Sequence, residues 1–230
     1  MPAESPLFNP IAALYERYAE VNDGLYRPYL ERALPAAGDR AVDLGCGSGR
    51  FTGLLADRYA HVVAVDIADR EIEIATRKRA RPNVTYRVAD ILDVTPRRDG
   101  RFDVVLSVNT LFNLFRDHDP DDVLRHVRSL VAPGGTAVIL DIVSARSDSA
   151  VRQRWWGIED AVRTFGRHRS AAAVWTVLRL RQHPAWMRHA RTNRSLTRAA
   201  FHERCAAVFP GARFTDRLDP FICAVRWSKI

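Results

Sequence analysis

Apolar residues follow two different periods along the first part of the chain. Ile11, Leu14, Tyr15, Tyr18 and Val21 recur at helical spacing, and Tyr26, Tyr29, Leu30 and Leu34 continue it after Asn22-Asp23-Gly24. Pro10 to Leu34 therefore reads as one or two helices, broken by the segment from Pro35 to Asp39. Short apolar runs follow at Arg40–Leu44, His61–Asp66, Val84–Val88, Phe102–Val108 and Thr136–Leu140. Helical patterns lie between most of them, at Phe51–Tyr59, Arg70–Arg79 and Asp121–Val131, the last stopping at Ala132-Pro133-Gly134-Gly135. Such alternation predicts an α/β fold with a doubly wound parallel sheet and helices on both faces.

The rhythm changes after the fifth strand. From Ser144 to Asn193 no strand pattern is present, and helices are expected near 148–165, 170–181 and 184–190. Leu196–Val208 reads as one more helix, capped by Thr197 and ended by Pro210-Gly211. Strands Arg213–Leu218 and Phe221–Trp227 are separated only by Asp219-Pro220, so they must pair antiparallel as a closing hairpin. The expected whole is one domain over 1–230, with a helical cap at 1–38 and a helical insertion at 144–195.

Composition narrows the class. A hydrophobic fraction of 47% in 230 residues supports a sizeable core. No apolar run approaches the roughly 20 residues of a membrane span, and the N-terminus lacks a signal-peptide layout. The three cysteines, Cys46, Cys205 and Cys223, are widely spaced, which argues for a reducing compartment and against a zinc or disulfide framework. A cytoplasmic protein without a metal, as monomer or homodimer, is expected. The net charge of +8 is carried almost wholly by arginine, with lysine only at positions 78 and 229. Apolar residues interrupt the arginines between Arg146 and Arg204, so a solvated basic face is expected before a nucleic-acid surface.

The sharpest chemical signal is Val42-Asp43-Leu44-Gly45-Cys46-Gly47-Ser48-Gly49. Glycines at alternate positions after a strand allow a sharp turn with positive φ and a close approach of backbone to a ligand. A dinucleotide fingerprint needs its third glycine three residues after the second, where this chain has Arg50. Gly-x-Gly-x-Gly after Val-Asp-Leu instead resembles the class I S-adenosylmethionine-dependent methyltransferases. That family's seven-stranded Rossmann-like sheet with a closing hairpin matches the predicted element order over about 40–143 and 196–228.

Ligands of open α/β sheets bind beyond the carboxyl ends of the strands. Strand two ends in Asp66, a carboxylate suited to both hydroxyls of an adenosine ribose. The resemblance implies that Asp90 receives the adenine amine and that Ile91 gives apolar contact. It also implies cofactor contacts from Asp43, Gly45, Cys46, Gly47 and Ile67, and from Ser107 or Asn109 beneath the methionine portion. Tyr18, on a helix that family members fold over the cofactor, could reach the methionine carboxylate. The insertion after strand five is where many members carry a substrate lid, whose core Trp155, Trp156 and Trp175 would build. The expected cofactor is thus S-adenosylmethionine, leaving as S-adenosylhomocysteine.

Ser107-Val108-Asn109-Thr110 lacks the Asp/Asn-Pro-Pro-aromatic pattern of nucleobase-amine methylation, and no cysteine sits where RNA carbon methylation needs one. A small-molecule acceptor, aromatic or anionic, is expected, with its O, N or C atom open. An RNA methyltransferase and a non-catalytic cofactor-binding partner protein are the alternatives. An oxygen or carbon acceptor benefits from a base. The candidates are His118 after strand four and His183 and His189 in the insertion, where Trp186 and His189 share a face if helical.

Overall fold

The computed structural model describes residues 9–143, 150–192 and 195–230. Residues 1–8 of the expected cap and 144–149 and 193–194 of the insertion lie outside them, as do the side chains of Trp155 and Trp156. A helix α1 (Ala12–Ala33) precedes β1 (Gly38–Leu44), α2 (Thr52–Ala56), β2 (Tyr59–Asp66), α3 (Asp69–Arg79) and β3 (Val84–Val88). Then come α4 (Pro96–Asp99), β4 (Phe102–Val108), α5 (Pro120–Leu130) and β5 (Val131–Ile142). Three helices follow, α6 (Ala150–His168), α7 (Ala171–Gln182) and α8 (Pro184–Thr192), and α9 (Arg198–Val208), β6 (Arg213–Asp219) and β7 (Ile222–Ser228) close the chain.

The seven strands form one sheet in the order β3-β2-β1-β4-β5-β7-β6. β1 to β5 run parallel, and β7 inserts antiparallel between β5 and β6. Strand order reverses between β1 and β4, which places a crevice at their carboxyl ends. The strands are apolar on both faces because both faces are covered. Along β4, Phe102 and Val105 join the layer with α5 and α9, while Val104 and Leu106 join the layer with α1 and α2. Capping follows local chemistry: Asp119 accepts the Asp121 amide at 2.8 Å ahead of Pro120, and Thr197 accepts the Ala200 amide at 3.3 Å.

Three elements depart from their sequence patterns. α1 is a single helix that runs through Gly24 and Pro28. Both residues are exposed, while Leu30, Ala33 and Leu34 on the buried side pack onto the sheet and hold the helix together. β5 begins at Val131, so Ala132-Pro133-Gly134-Gly135 is part of the strand. A register shift against β4 absorbs this stretch, and the Gly134 and Gly135 backbones bond to Lys229 beyond β7. The helix expected over Phe51–Tyr59 is only the short α2, because Tyr59 already belongs to β2.

Candidate active site

The glycine loop sits where β1 ends. Gly45, Gly47 and Gly49 have φ of +72°, +50° and +79°. At Gly45 a Cβ would lie inside the Thr110 side chain, and at Gly49 one would come 2.6 Å from the Tyr86 hydroxyl. Gly47 differs, since a Cβ there would meet only Glu71 Oε2, at 3.6 Å. Arg50, which occupies the position of the missing third dinucleotide glycine, pairs with Asp23 of α1 at 3.1 Å and ties that helix over the loop.

The loop's amides are largely used within the protein. Gly45 and Cys46 donate to the Val65 carbonyl at 2.8 and 2.9 Å, and Gly49 donates to the Cys46 carbonyl at 2.9 Å. Gly47 donates to Asp66 Oδ2 at 2.8 Å, while Asp66 Oδ1 takes the Ala68 amide at 2.9 Å. Asp66 thereby braces the turn with both oxygens.

Four carboxyl groups surround this loop, and their partners differ. Asp43 is buried and accepts the Thr52 hydroxyl at 2.7 Å; burial pushes its carboxyl up to about 7. Glu16 of α1 is buried but fully engaged, with the Ser48 hydroxyl, with Arg79 at 2.6 Å and with Lys78 at 3.4 Å. Those bonds outweigh burial and hold its carboxyl below the usual range. Glu71, in the first turn of α3, is only 3% exposed, and no described group completes a hydrogen bond with either of its oxygens. Burial first, then the charges of Asp66 and Glu16, push it up to about 8, which Arg79 and the Ser48 amide offset in part.

One cavity of about 1040 Å³ opens from this loop. Its acidic pole includes Asp43, Gly45, Gly47 and Glu71; its other pole lies between α1 and α8. There Trp186 stacks near Tyr15 with ring centres 6.1 Å apart and meets His189 edge-on at 5.6 Å. His189 is 7% exposed, and burial with the nearby Arg116 charge lowers it to about 4, so the imidazole is neutral at pH 7. Arg181 of α7 donates to Asp160 of α6 at 2.6 Å and to the Tyr18 hydroxyl at 3.3 Å, while its guanidinium lies over the Trp186 ring. This cluster fastens α6 and α7 to α1.

The residues expected from sequence separate into two groups. Asp43, Gly45, Cys46, Gly47, Asn109, Tyr18 and His189 line the cavity. Asn109 has φ +53°, an uncommon backbone conformation that asparagine tolerates, and its buried Oδ1 has no described partner. Asp66, Ile67, Asp90 and Ile91 stand at the same carboxyl edge but outside the cavity lining. Asp90 accepts the Leu92 amide at 2.9 Å. Ser107 is fully buried and donates to the Leu44 carbonyl at 3.3 Å, so it joins two strands.

Several placements correct expectation. Tyr18 spends its hydroxyl on Asp160 at 3.3 Å and Arg181. His183 Nδ1 accepts the Ala185 amide at 3.2 Å at the start of α8, and His118 is exposed away from the cavity. Trp175 is 64% exposed, because α7 turns Val177 and Leu180 inward instead. Sequence reasoning missed Glu71, Glu16 and Arg181, each of which reads as an ordinary charged helix residue. Among the described residues, one trio has metal-ligand spacing: His202, Asp216 and Cys223. Asp216 there already pairs with His202 and with the Arg198 guanidinium. No described helix is long and apolar enough to cross a membrane.

The donor set has a clear preference. A pyrophosphate would meet spent amides and buried carboxyl groups, whereas hydroxyl and ammonium donors would find acceptors. Residues 41–135 match the methyltransferase-domain family. The chain is 32% identical over 142 residues to the O-methyltransferase cnsE of Penicillium expansum, covering 59% of this chain and 50% of that one. It is 33% identical over 143 residues to a demethylmenaquinone methyltransferase of Clavibacter sepedonicus, covering 60% and 57%. The alignments thus span between half and three fifths of those relatives' length. Among solved structures, the DhpI–SAH complex superposes with a TM-score of 0.52 at 20% identity, covering 94% of each chain.

Proposed function

We propose that this chain is a class I S-adenosylmethionine-dependent methyltransferase and that it methylates a small planar molecule held between α1 and α8. The observation that carries this reading is the division of one cavity into an acidic pole at the glycine loop and an aromatic pole holding a buried, neutral imidazole. Asp43, Glu71 and the loop backbone would hold the cofactor, the carboxyl oxygens acting as acceptors for its hydroxyl and ammonium donors. When bound, that cofactor supplies a methyl group on a positively charged sulfur, for in-line displacement by the acceptor atom.

The rest is work for the chain's own residues. Trp186, Tyr15 and Phe112 offer flat apolar surface for an aromatic ring, fixing the acceptor so that little orientational freedom remains to be lost. His189 is the candidate to receive the proton of an acceptor hydroxyl: it is uncharged at neutral pH, burial makes it a weak base, and a bound anionic acceptor must raise its proton affinity. Arg163 and Arg167 also line the cavity and favour an acceptor that carries negative charge. Helices α1 and α6–α8 act with the sheet as one unit, closing the acceptor pole. The names of the two relatives, an O-methyltransferase and a demethylmenaquinone methyltransferase, support a small molecule with an oxygen or ring-carbon acceptor.

The test is transfer of labelled methyl from S-adenosylmethionine to a panel of hydroxylated aromatic acids, hydroxyquinols and bulk transfer RNA. Label in at least one small aromatic, lost in His189→Gln with unchanged S-adenosylhomocysteine affinity, is expected. Label in RNA alone contradicts the acceptor assignment.

A further inference from the structure

A further cavity of about 500 Å³ adjoins the acceptor cavity beside the β6–β7 turn, and Leu25, Arg163, Arg167 and Asp219 line both. Arg163 and Arg167 are four residues apart on α6 and so share a face. Their commitments within the protein are slight. Arg163 pairs with Glu159 at 3.1 Å, but the two side chains keep 35% and 52% of their exposure, and such pairs contribute little. Its guanidinium also lies 5.2 Å from the centre of the Phe221 ring, which holds it at the junction of the two cavities. Arg167 reaches the side-chain oxygen of Asn22 only at 3.5 Å and has no carboxylate partner among the described residues. The carboxylates of the same cavity are engaged elsewhere. Asp216 holds Arg198 and His202, and one oxygen of Asp219 takes the Phe221 amide at 3.0 Å. Two guanidinium groups thus present spare donors at the edge of the acceptor cavity.

Helix α1 sets the distance from this pair to the aromatic pole. Tyr15 stacks near Trp186, which meets His189 edge-on, while Asn22, seven residues further along the same helix, receives Arg167. Seven residues of α-helix rise about 10 Å. We propose that Arg163 and Arg167 form an anion subsite, so that the acceptor is an aromatic hydroxy compound carrying a carboxylate or similar anionic group about 10 Å from the atom that is methylated. This rests on the acceptor reading given above and adds to it where the negative charge must lie. A carboxylate suits the pair because a guanidinium can bond it through two parallel N–H groups. A charge placed directly on the ring falls short of the arginines, and a neutral tail leaves them in water.

The experiment is calorimetric binding of para-hydroxyphenyl carboxylic acids, lengthened one methylene at a time from hydroxybenzoate, and of the matching amides. It uses the full chain saturated with S-adenosylhomocysteine, as wild type, Arg163→Met, Arg167→Met and Arg167→Glu, with the cofactor product also titrated alone. Wild type should prefer acid over amide by about 10- to 100-fold, the range of hydrogen bonds to charged groups, once phenol and carboxylate stand about 10 Å apart, and by less at hydroxybenzoate. Either methionine variant should lose most of that preference, and Arg167→Glu should reverse it in favour of the amide. A wild-type preference that does not grow with chain length, or one that survives in all three variants, overturns the subsite and leaves the acceptor reading standing. An unchanged acid preference with S-adenosylhomocysteine affinity lowered in Arg167→Met overturns it too, and assigns the arginine to the cofactor's own carboxylate. Failure of every acid and amide to bind the cofactor-loaded chain removes the small-aromatic acceptor reading and the subsite together.

Discussion

The two poles of the cavity are built in opposite ways. The glycine-loop pole rests on strand ends and on the first turn of α3, where chain geometry fixes each backbone group to within a hydrogen bond. The α1–α8 pole rests on side chains from four helices, tied by Arg181, Asp160 and Tyr18 and filled by rings. Their electrostatics are opposed as well. Burial pushes Asp43 and Glu71 up to about 7 and about 8, toward the protonated form, and it pushes His189 down to about 4, toward the neutral one. One region is specified by backbone, the other by packing, and each can be perturbed with the other as control.

Substituting His189 is the largest expected effect and confined to the acceptor pole. His189→Gln should lower turnover by about 10²- to 10⁴-fold, the usual range for losing a general base, with S-adenosylhomocysteine affinity unchanged by calorimetry. A matched fall in cofactor affinity would mean that the poles are not separable. Gly45→Ala strikes the other pole. It forces a side chain into left-handed backbone and into Thr110, at a cost of about 2–4 kcal/mol by chemical denaturation, with cofactor binding lost.

Arg181→Met should cost less than a fully buried pair, about 2–3 kcal/mol, since the Arg181 and Asp160 side chains keep 29% and 16% of their exposure. Limited proteolysis should then cut first within α6 to α8, and acceptor KM should rise while cofactor Kd holds. Equal protection of α6–α8 in this variant and wild type would break the idea that the cluster fastens the lid.

The smallest effects distinguish the poles by the sign of their pH dependence. A folded carboxyl with a raised pKa keeps its proton while the unfolded chain loses it from about pH 4 upward, so stability falls as pH rises through the folded values. Asp43 and Glu71 set that fall up to about pH 7 and 8. His189 does the reverse: the unfolded imidazole gains a proton below about pH 6.5, and stability drops until the folded value near 4 is reached. Each group contributes at most about 1.4 kcal/mol per pH unit. Denaturation midpoints against pH should lose part of the alkaline slope in Glu71→Met and part of the acid slope in His189→Gln; exchanged slopes would contradict both assignments.

The same division explains what the sequence reveals. A glycine at positive φ, a strand ending in aspartate and a two-residue hairpin are local instructions, so Gly45, Asp66 and the β6–β7 pairing are legible in order. Glu71 is not, because an acidic residue in the first turn of a helix is what the helix dipole favours on any surface. Its burial arises where the glycine loop meets the start of α3, with Oε2 3.6 Å from where a Gly47 Cβ would lie. Arg181 likewise looks like one more arginine in a basic insertion until Asp160 and Trp186 come together around it. Gly134-Gly135 misleads in the other direction. Those glycines stop a helix on paper, whereas Lys229, distant in sequence, recruits them into β5.

The most direct test of the central claim is titration calorimetry of the full chain with S-adenosylhomocysteine and, separately, with NAD. The acidic pole and its spent amides predict saturable one-to-one binding of S-adenosylhomocysteine. They also predict about 2.7 kcal/mol of added stability at about 100 times its Kd, and none with NAD. Binding of NAD, with S-adenosylhomocysteine silent, would contradict the assignment of this loop.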